Sequence, residues 1–169
     1  MRTLLAQEGT AGHDADRAVE HVLGGLPGLP LHPDVSEGVT ALHASGHRLL
    51  TLTNGSADTT RTVPTRAGLA DRCETHLDVQ GAGGRWKPAP DAYAYAVRAA
   101  GAEARAVMLV SVHPWDIDGA ARAGLATAWV RRTPVPYPAS RRPPDLVATG
   151  FTDLARQLDG GPGGPRSAG

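Results

Sequence analysis

The run Ala106–Val112, AVMLVSV, most constrains what this chain can fold into. It reads as a buried strand, and it passes directly into HPWDIDGAARAG, where Ala and Gly form a helix face suited to close packing on a sheet. The same alternation recurs on both sides. HRLLTLT, THLDV, ATAWV and DLVATG read as strands. DADRAVEHVLG (14–24), DVSEGVTALHASG, ADTTRTVPTRAGL, DAYAYAVRAAG and FTDLARQL read as helices. Asp34 or Ser36 is the expected cap of the second of these, Gly46 its stop, and Ser56 a cap candidate for the third. Pro90 and Gly101 bracket the fourth. Strands alternating with helices predict an α/β fold, a doubly wound parallel sheet with right-handed crossovers. Ligands in such sheets sit at the carboxyl ends of the strands.

Bulk properties narrow the function classes. The 169 residues suffice for one ordinary domain, 41% hydrophobic and 20% charged. Seventeen basic residues balance seventeen acidic ones, which argues against an electrostatic grip on nucleic acid or anionic lipid. No apolar run approaches the ~18 residues of a membrane span. The one cysteine, Cys73, excludes an internal disulfide and suits a cytoplasmic setting. Cys73 and His76 without a second pair do not make a metal site, and Cys73 reads as a buried small residue. Lys87 is the only lysine beside sixteen arginines, and Asn54 and Ile117 are the only residues of their kinds. That bias fits a high-GC gene and marks Lys87 and Asn54 as positions where a substitute fails, because a compact ammonium is not a planar guanidinium.

Three strand tips carry polar groups. In TNGS, Thr53 offers a hydroxyl and Asn54 an amide, although Asn-Gly is also a common turn and Ser56 a cap. In RWKPAP, Lys87 is either a solvated lysine or a buried one fenced by Trp86 and Pro88, with Tyr93 six residues on able to aim its phenol at the same place. Beyond the strand ending at Ser111, Asp116 and Asp118 either gain from a helix N-terminus or face a site; His113 is a loop histidine or a pocket donor, and Trp115 core or lining. Together they place a hydroxyl, an ammonium and a carboxylate at neighbouring tips.

LTLTNGS, GRWKPAPDAYAYA and MLVSVHPWDIDGAARAGLATAWVRR, in that order and spacing, resemble the haloacid dehalogenase superfamily, within it the type II 2-haloacid dehalogenase branch. The resemblance runs from roughly Leu31 to Leu158. It implies a Rossmann-like core over 31–158, the end of a helical cap over 1–30, and a disordered tail over 159–169. It also implies a hydrolase in which an aspartate displaces halide from a small 2-substituted carboxylic acid through an ester that water then cleaves. Carried onto this chain, Thr53 and Lys87 hold and balance the nucleophile, and Asp116 positions Lys87 or the water. Asn54, Tyr93, Ser111, His113 and Trp115 meet the substrate or line its pocket. No cofactor is implied. Phosphatases of the superfamily carry a magnesium-binding aspartate four residues before Asp116, where this chain has Val112, so no metal dependence is expected. A homodimer is left open.

Two departures matter. The branch's best-known members have Asn where this chain has His113, which alters a pocket donor. The family's first strand, with its Asp-x-x-x-Thr nucleophile motif, has no counterpart in these residues. That strand lies between those ending at Thr53 and Ser111, and each buried backbone group left without it costs ~1–3 kcal/mol. The expectations are a longer natural chain, another segment or chain in the slot, or neighbours that close up on each other. Function is then either a hydrolase needing an N-terminal segment or a non-catalytic remnant or module that binds a small carboxylate, with a phosphatase of the superfamily as a further alternative.

Overall fold

The structure, a computed structural model, describes residues 13–25 and 28–160. It divides into two compact units, one through Leu31 and one from His32 onward. The first contains α1 (His13–Gly25), with Asp14 and Asp16 in its first turn and an exposed Arg17–Asp14 ion pair. Val22 and Leu23 of this helix are exposed. The other part of the expected cap, 1–12 and 26–27, lies outside the described residues.

The second unit runs α2 (Val35–Ala44), β1 (Leu50–Thr53), α3 (Ala57–Arg66), β2 (Thr75–Asp78), α4 (Pro90–Ala100), β3 (Met108–Ser111), α5 (Pro114–Arg122), β4 (Ala126–Val130), β5 (Leu146–Ala148) and α6 (Phe151–Gly160). All strand pairs are parallel. β3 shows why the fold is doubly wound. Met108 and Val110 pack on a cluster of Leu42, Ala128, Ala148, Leu154 and Ala155, which brings α2 and α6 to one face. Leu109 packs with Tyr93, Ala120 and Leu125, which brings α4 and α5 to the other. The period-2 alternation of one strand thus feeds two helical layers.

The sheet is in two parts. β1 pairs with β2, from Leu50↔Thr75 to Thr53↔Asp78, and β3–β4–β5 form the other ladder. Leu52 of β1 and Leu109 of β3 pack against the same cluster, yet among the described residues no ladder joins the two strands. The neighbours of the expected slot therefore do not close up on each other.

Local chemistry follows the sequence at most helix ends. Ser56 accepts from Asp58 N at 3.2 Å, Pro90 opens α4, and Gly101 closes it at φ +60°. Asp34 departs from its expected role. It occupies the N-cap position of α2, but its side chain makes no cap bond to that helix; its carboxylate accepts from Arg132 Nη1 and Phe151 N, each at 2.6 Å. The bond is long-range because α2 and α6 cross closely at Gly38, where a Cβ would collide with Phe151. Cys73 is half-buried rather than buried, with burial pushing its thiol up. Asp159 and Gly160 end α6, and residues 161–169 of the expected tail lie outside the described residues.

Candidate active site

Asp116 is the centre of the polar cluster. It stands in the first turn of α5, behind Pro114, where unpaired backbone N–H groups favour a carboxylate. Only 3% of its side chain is exposed. Its Oδ2 accepts from Lys87 Nζ at 2.8 Å and its Oδ1 from the Tyr93 phenol at 2.8 Å. A buried carboxylate is tolerable because it is paired and hydrogen-bonded on both oxygens. Tyr93 is fully buried; burial first, then the adjacent Asp116 carboxylate, push its phenol well above the ordinary value, so it remains a donor.

Lys87 reaches this point from the loop between β2 and α4. Its backbone is gripped by Asn54 at the tip of β1: Lys87 N donates to Asn54 Oδ1 at 2.8 Å, and Asn54 Nδ2 donates to Lys87 O at 3.1 Å. One side-chain amide therefore does what a neighbouring strand would do. The side chain of Lys87 is 11% exposed. Trp86, expected as part of its fence, is instead 63% exposed, and the partner the Lys87 ammonium finds is Asp116.

Gly119, one turn after Asp116, makes the arrangement sterically feasible. A Cβ there would lie 2.6 Å from Tyr93 Oη and 2.7 Å from Pro88 Cβ. The sequence identified this small residue with sheet packing; it serves the approach of Tyr93 and of the Lys87 loop. Asp78, at the carboxyl end of β2, was not singled out from sequence. Its oxygens accept from Ala57 N, Gln80 N and Gly81 N, and these bonds hold its carboxyl below the usual range. Its position at a strand end was the available signal.

The other expected site residues lie at the same strand ends but turn to local partners. Thr53 Oγ1 accepts from Gly55 N at 2.9 Å, and Ser111 Oγ from His113 N at 3.1 Å. His113 and Trp115 stack on each other, ring centroids 5.3 Å apart and planes 18° apart. The Val112 carbonyl accepts from Trp129 Nε1 at 3.1 Å. Asn54, Lys87, Tyr93 and Asp116 are thus brought into one bonded network, with Thr53, Ser111, His113 and Trp115 on the turns beside it.

A family model described as haloacid dehalogenase-like hydrolase matches residues 2–124. The chain belongs to the haloacid dehalogenase-like hydrolases. Haloacetate dehalogenase H-2 of Moraxella sp. (strain B) is 32% identical over 115 residues, covering 68% of this chain and 51% of that protein. The (S)-2-haloacid dehalogenase of Pseudomonas sp. (strain YL) is 31% identical over 116 residues, covering 69% and 50%. The crystal structure of an L-2-haloacid dehalogenase superposes with a TM-score of 0.83 at 26% identity, over 94% of this chain and 68% of that one. This haloacid dehalogenase-like chain spans about half the length of the curated relatives it matches. Among the described residues, no helix is long and apolar enough to cross a membrane, and no group of three or more His, Cys, Asp or Glu side chains could hold a metal ion.

Proposed function

We propose that this site serves hydrolytic displacement at the 2-carbon of a small 2-substituted carboxylic acid, a 2-haloacid being the type substrate. The observation that carries the reading is the covered Lys87–Asp116 pair at the carboxyl end of the sheet. Lys87 balances the charge of an aspartate nucleophile. The nucleophile's carboxylate oxygen attacks the carbon bearing the halogen, and halide leaves with the bonding pair. Water then attacks the carbonyl of the resulting aspartyl ester, releasing the 2-hydroxy acid and restoring the carboxylate. Both oxygens of Asp116 are engaged, which favours a holder of Lys87 over a base toward water. Tyr93 acts through Asp116, and Asn54 through the Lys87 backbone. Thr53, Ser111, His113 and Trp115 border the substrate. No Mg²⁺ requirement is expected, since Val112 stands where a phosphatase of this kind has its metal-binding aspartate.

The nucleophile is best supplied by a segment entering between β1 and β3, whose facing edges share no ladder among the described residues. Asp78 at the end of β2 accepts three backbone N–H groups and Asp116 beyond β3 is paired on both oxygens, so neither is free to attack. That observation favours a second reading, in which these residues alone bind a small carboxylate without turning it over. The test is halide release from chloroacetate and 2-chloropropionate by the product of the whole open reading frame, with Lys87→Ala as control. Release that Lys87→Ala abolishes supports the enzyme. Calorimetric binding of lactate without halide release supports the binding module, and neither signal overturns both.

A further inference from the structure

The turn that carries Asp116 into place is held from outside by Trp129 of β4 and by the segment 131–145, which links β4 to β5. Val112 and His113 form this turn between β3 and α5, and Pro114 opens the helix. The carbonyls of Val112 and Pro114 are each taken by an aromatic side chain from elsewhere. Trp129 Nε1 donates to Val112 O at 3.1 Å, and the Tyr137 hydroxyl lies 3.2 Å from Pro114 O. The two rings meet edge to face, centroids 5.1 Å apart and planes 74° apart.

The same segment is fastened on its far side. Asp118 is buried on α5 and accepts from Arg142 N at 3.1 Å, Arg122 Nε at 3.1 Å and Arg141 Nη1 at 3.3 Å. Tyr137 Oη also lies 2.9 Å from Arg142 O, so its single proton is shared between the strap and the catalytic turn. Asp145 closes the strap by accepting from Thr127 N and Oγ1. Pro134, Pro136, Pro138, Pro143 and Pro144 restrict its backbone before folding, which lowers the entropy lost on ordering it. Connections that reach ~12–15 residues without secondary structure are uncommon in compact domains.

We infer that Tyr137 is a positioning residue: through Pro114 O it fixes the first turn of α5 and so sets the Asp116 carboxylate against Lys87. This role rests on the assignment of Lys87 and Asp116 as working groups. It differs from a purely stabilising loop contact because its effect must appear at the Lys87 ammonium, which bonds Asp116.

The sole lysine makes that readable. Protein grown with lysine carrying nitrogen-15 at Nζ gives one lysine ammonium signal. Tyr137→Phe keeps the ring against Trp129 and removes only the hydroxyl. It is expected to shift this signal and speed exchange of the ammonium protons with water about threefold to tenfold, the range one net hydrogen bond supports. Asp118→Asn, which loosens the strap at its other anchor, is expected to act in the same direction. An unchanged ammonium signal in both variants, with or without a fall in thermal stability, overturns the positioning role. Asp116→Asn separates the two readings. If it moves the signal and Tyr137→Phe does not, the strap role alone fails; if it does not move the signal, the assignment of the pair fails and the strap role with it.

Discussion

At the scale of single residues, the site works by leaving no charge alone. Asp116 and Lys87 are both covered, so each needs the other; Tyr93 bonds the second oxygen of Asp116, and Asn54 holds the Lys87 backbone. Breaking a buried pair by removing one member leaves an uncompensated charge and costs about 3–5 kcal/mol. Asp116→Ala is therefore expected to lower stability by that amount. Asp116→Ala combined with Lys87→Met is expected to lower it less than Asp116→Ala alone. Urea denaturation of the two single variants and the double variant checks this. Additive losses would mean that the ammonium does not depend on the carboxylate. The meeting of Lys87 and Asp116, with Tyr93 beside them, was legible in the sequence, because each residue stands at a fixed offset from a strand tip or helix start; the Thr53 hydroxyl, expected as the third group, turns to Gly55 N instead. The partners of Asp118 were not, since Arg141 and Arg142 come from a Pro-rich loop whose path no periodicity describes.

At the scale of elements, helix ends decide more than propensity does. Asp153 in the first turn of α6 reaches back to Thr149 N at 2.8 Å, and this bond, with Arg156 beside it, holds its carboxyl at about 2. Asp34, which joins α2 to α6 through Arg132 and Phe151 N, is lowered for a similar reason, chiefly by Arg132. A carboxyl that is more acidic folded than unfolded stabilises the fold above its unfolded value, and that stabilisation is lost as pH falls through the folded one. The docking of α6 is thus expected to weaken between roughly pH 4 and pH 2. Thermal melts across that window should show a smaller fall for Asp153→Asn than for the parent chain. The sequence placed the start of α6 but misjudged Asp34, because a carboxylate one residue before a helix looks like a cap whether it bonds its own helix or a distant one.

At the scale of the whole molecule, the division of the sheet is the dominant feature. β4 is laddered on both sides, whereas β1 and β3 are each laddered on one side only among the described residues. Backbone amides of β4 are expected to exchange with deuterium slowest, and those on the facing edges of β1 and β3 faster, as residue-resolved exchange will report. Equal protection across β1, β3 and β4 would mean that a further segment completes the sheet. The order of strands and helices was readable because apolar runs and helical stripes alternate so regularly. Whether β1 would pair with β3 was not, since sequence shows which strands are present but not how far apart the helical layers hold them.

The pairing of Lys87 with Asp116 also bears on how the protein can be handled. Succinimidyl esters and aldehyde-coated supports are attacked by free, unprotonated amines, and within these 169 residues the one lysine amine is covered and ion-paired. Dyes and surface attachments introduced by that route will couple at an α-amino terminus, whose pKa of about 7.7–8.0 leaves more of it unprotonated, in preference to Lys87, and leave the Lys87–Asp116 pair unmodified.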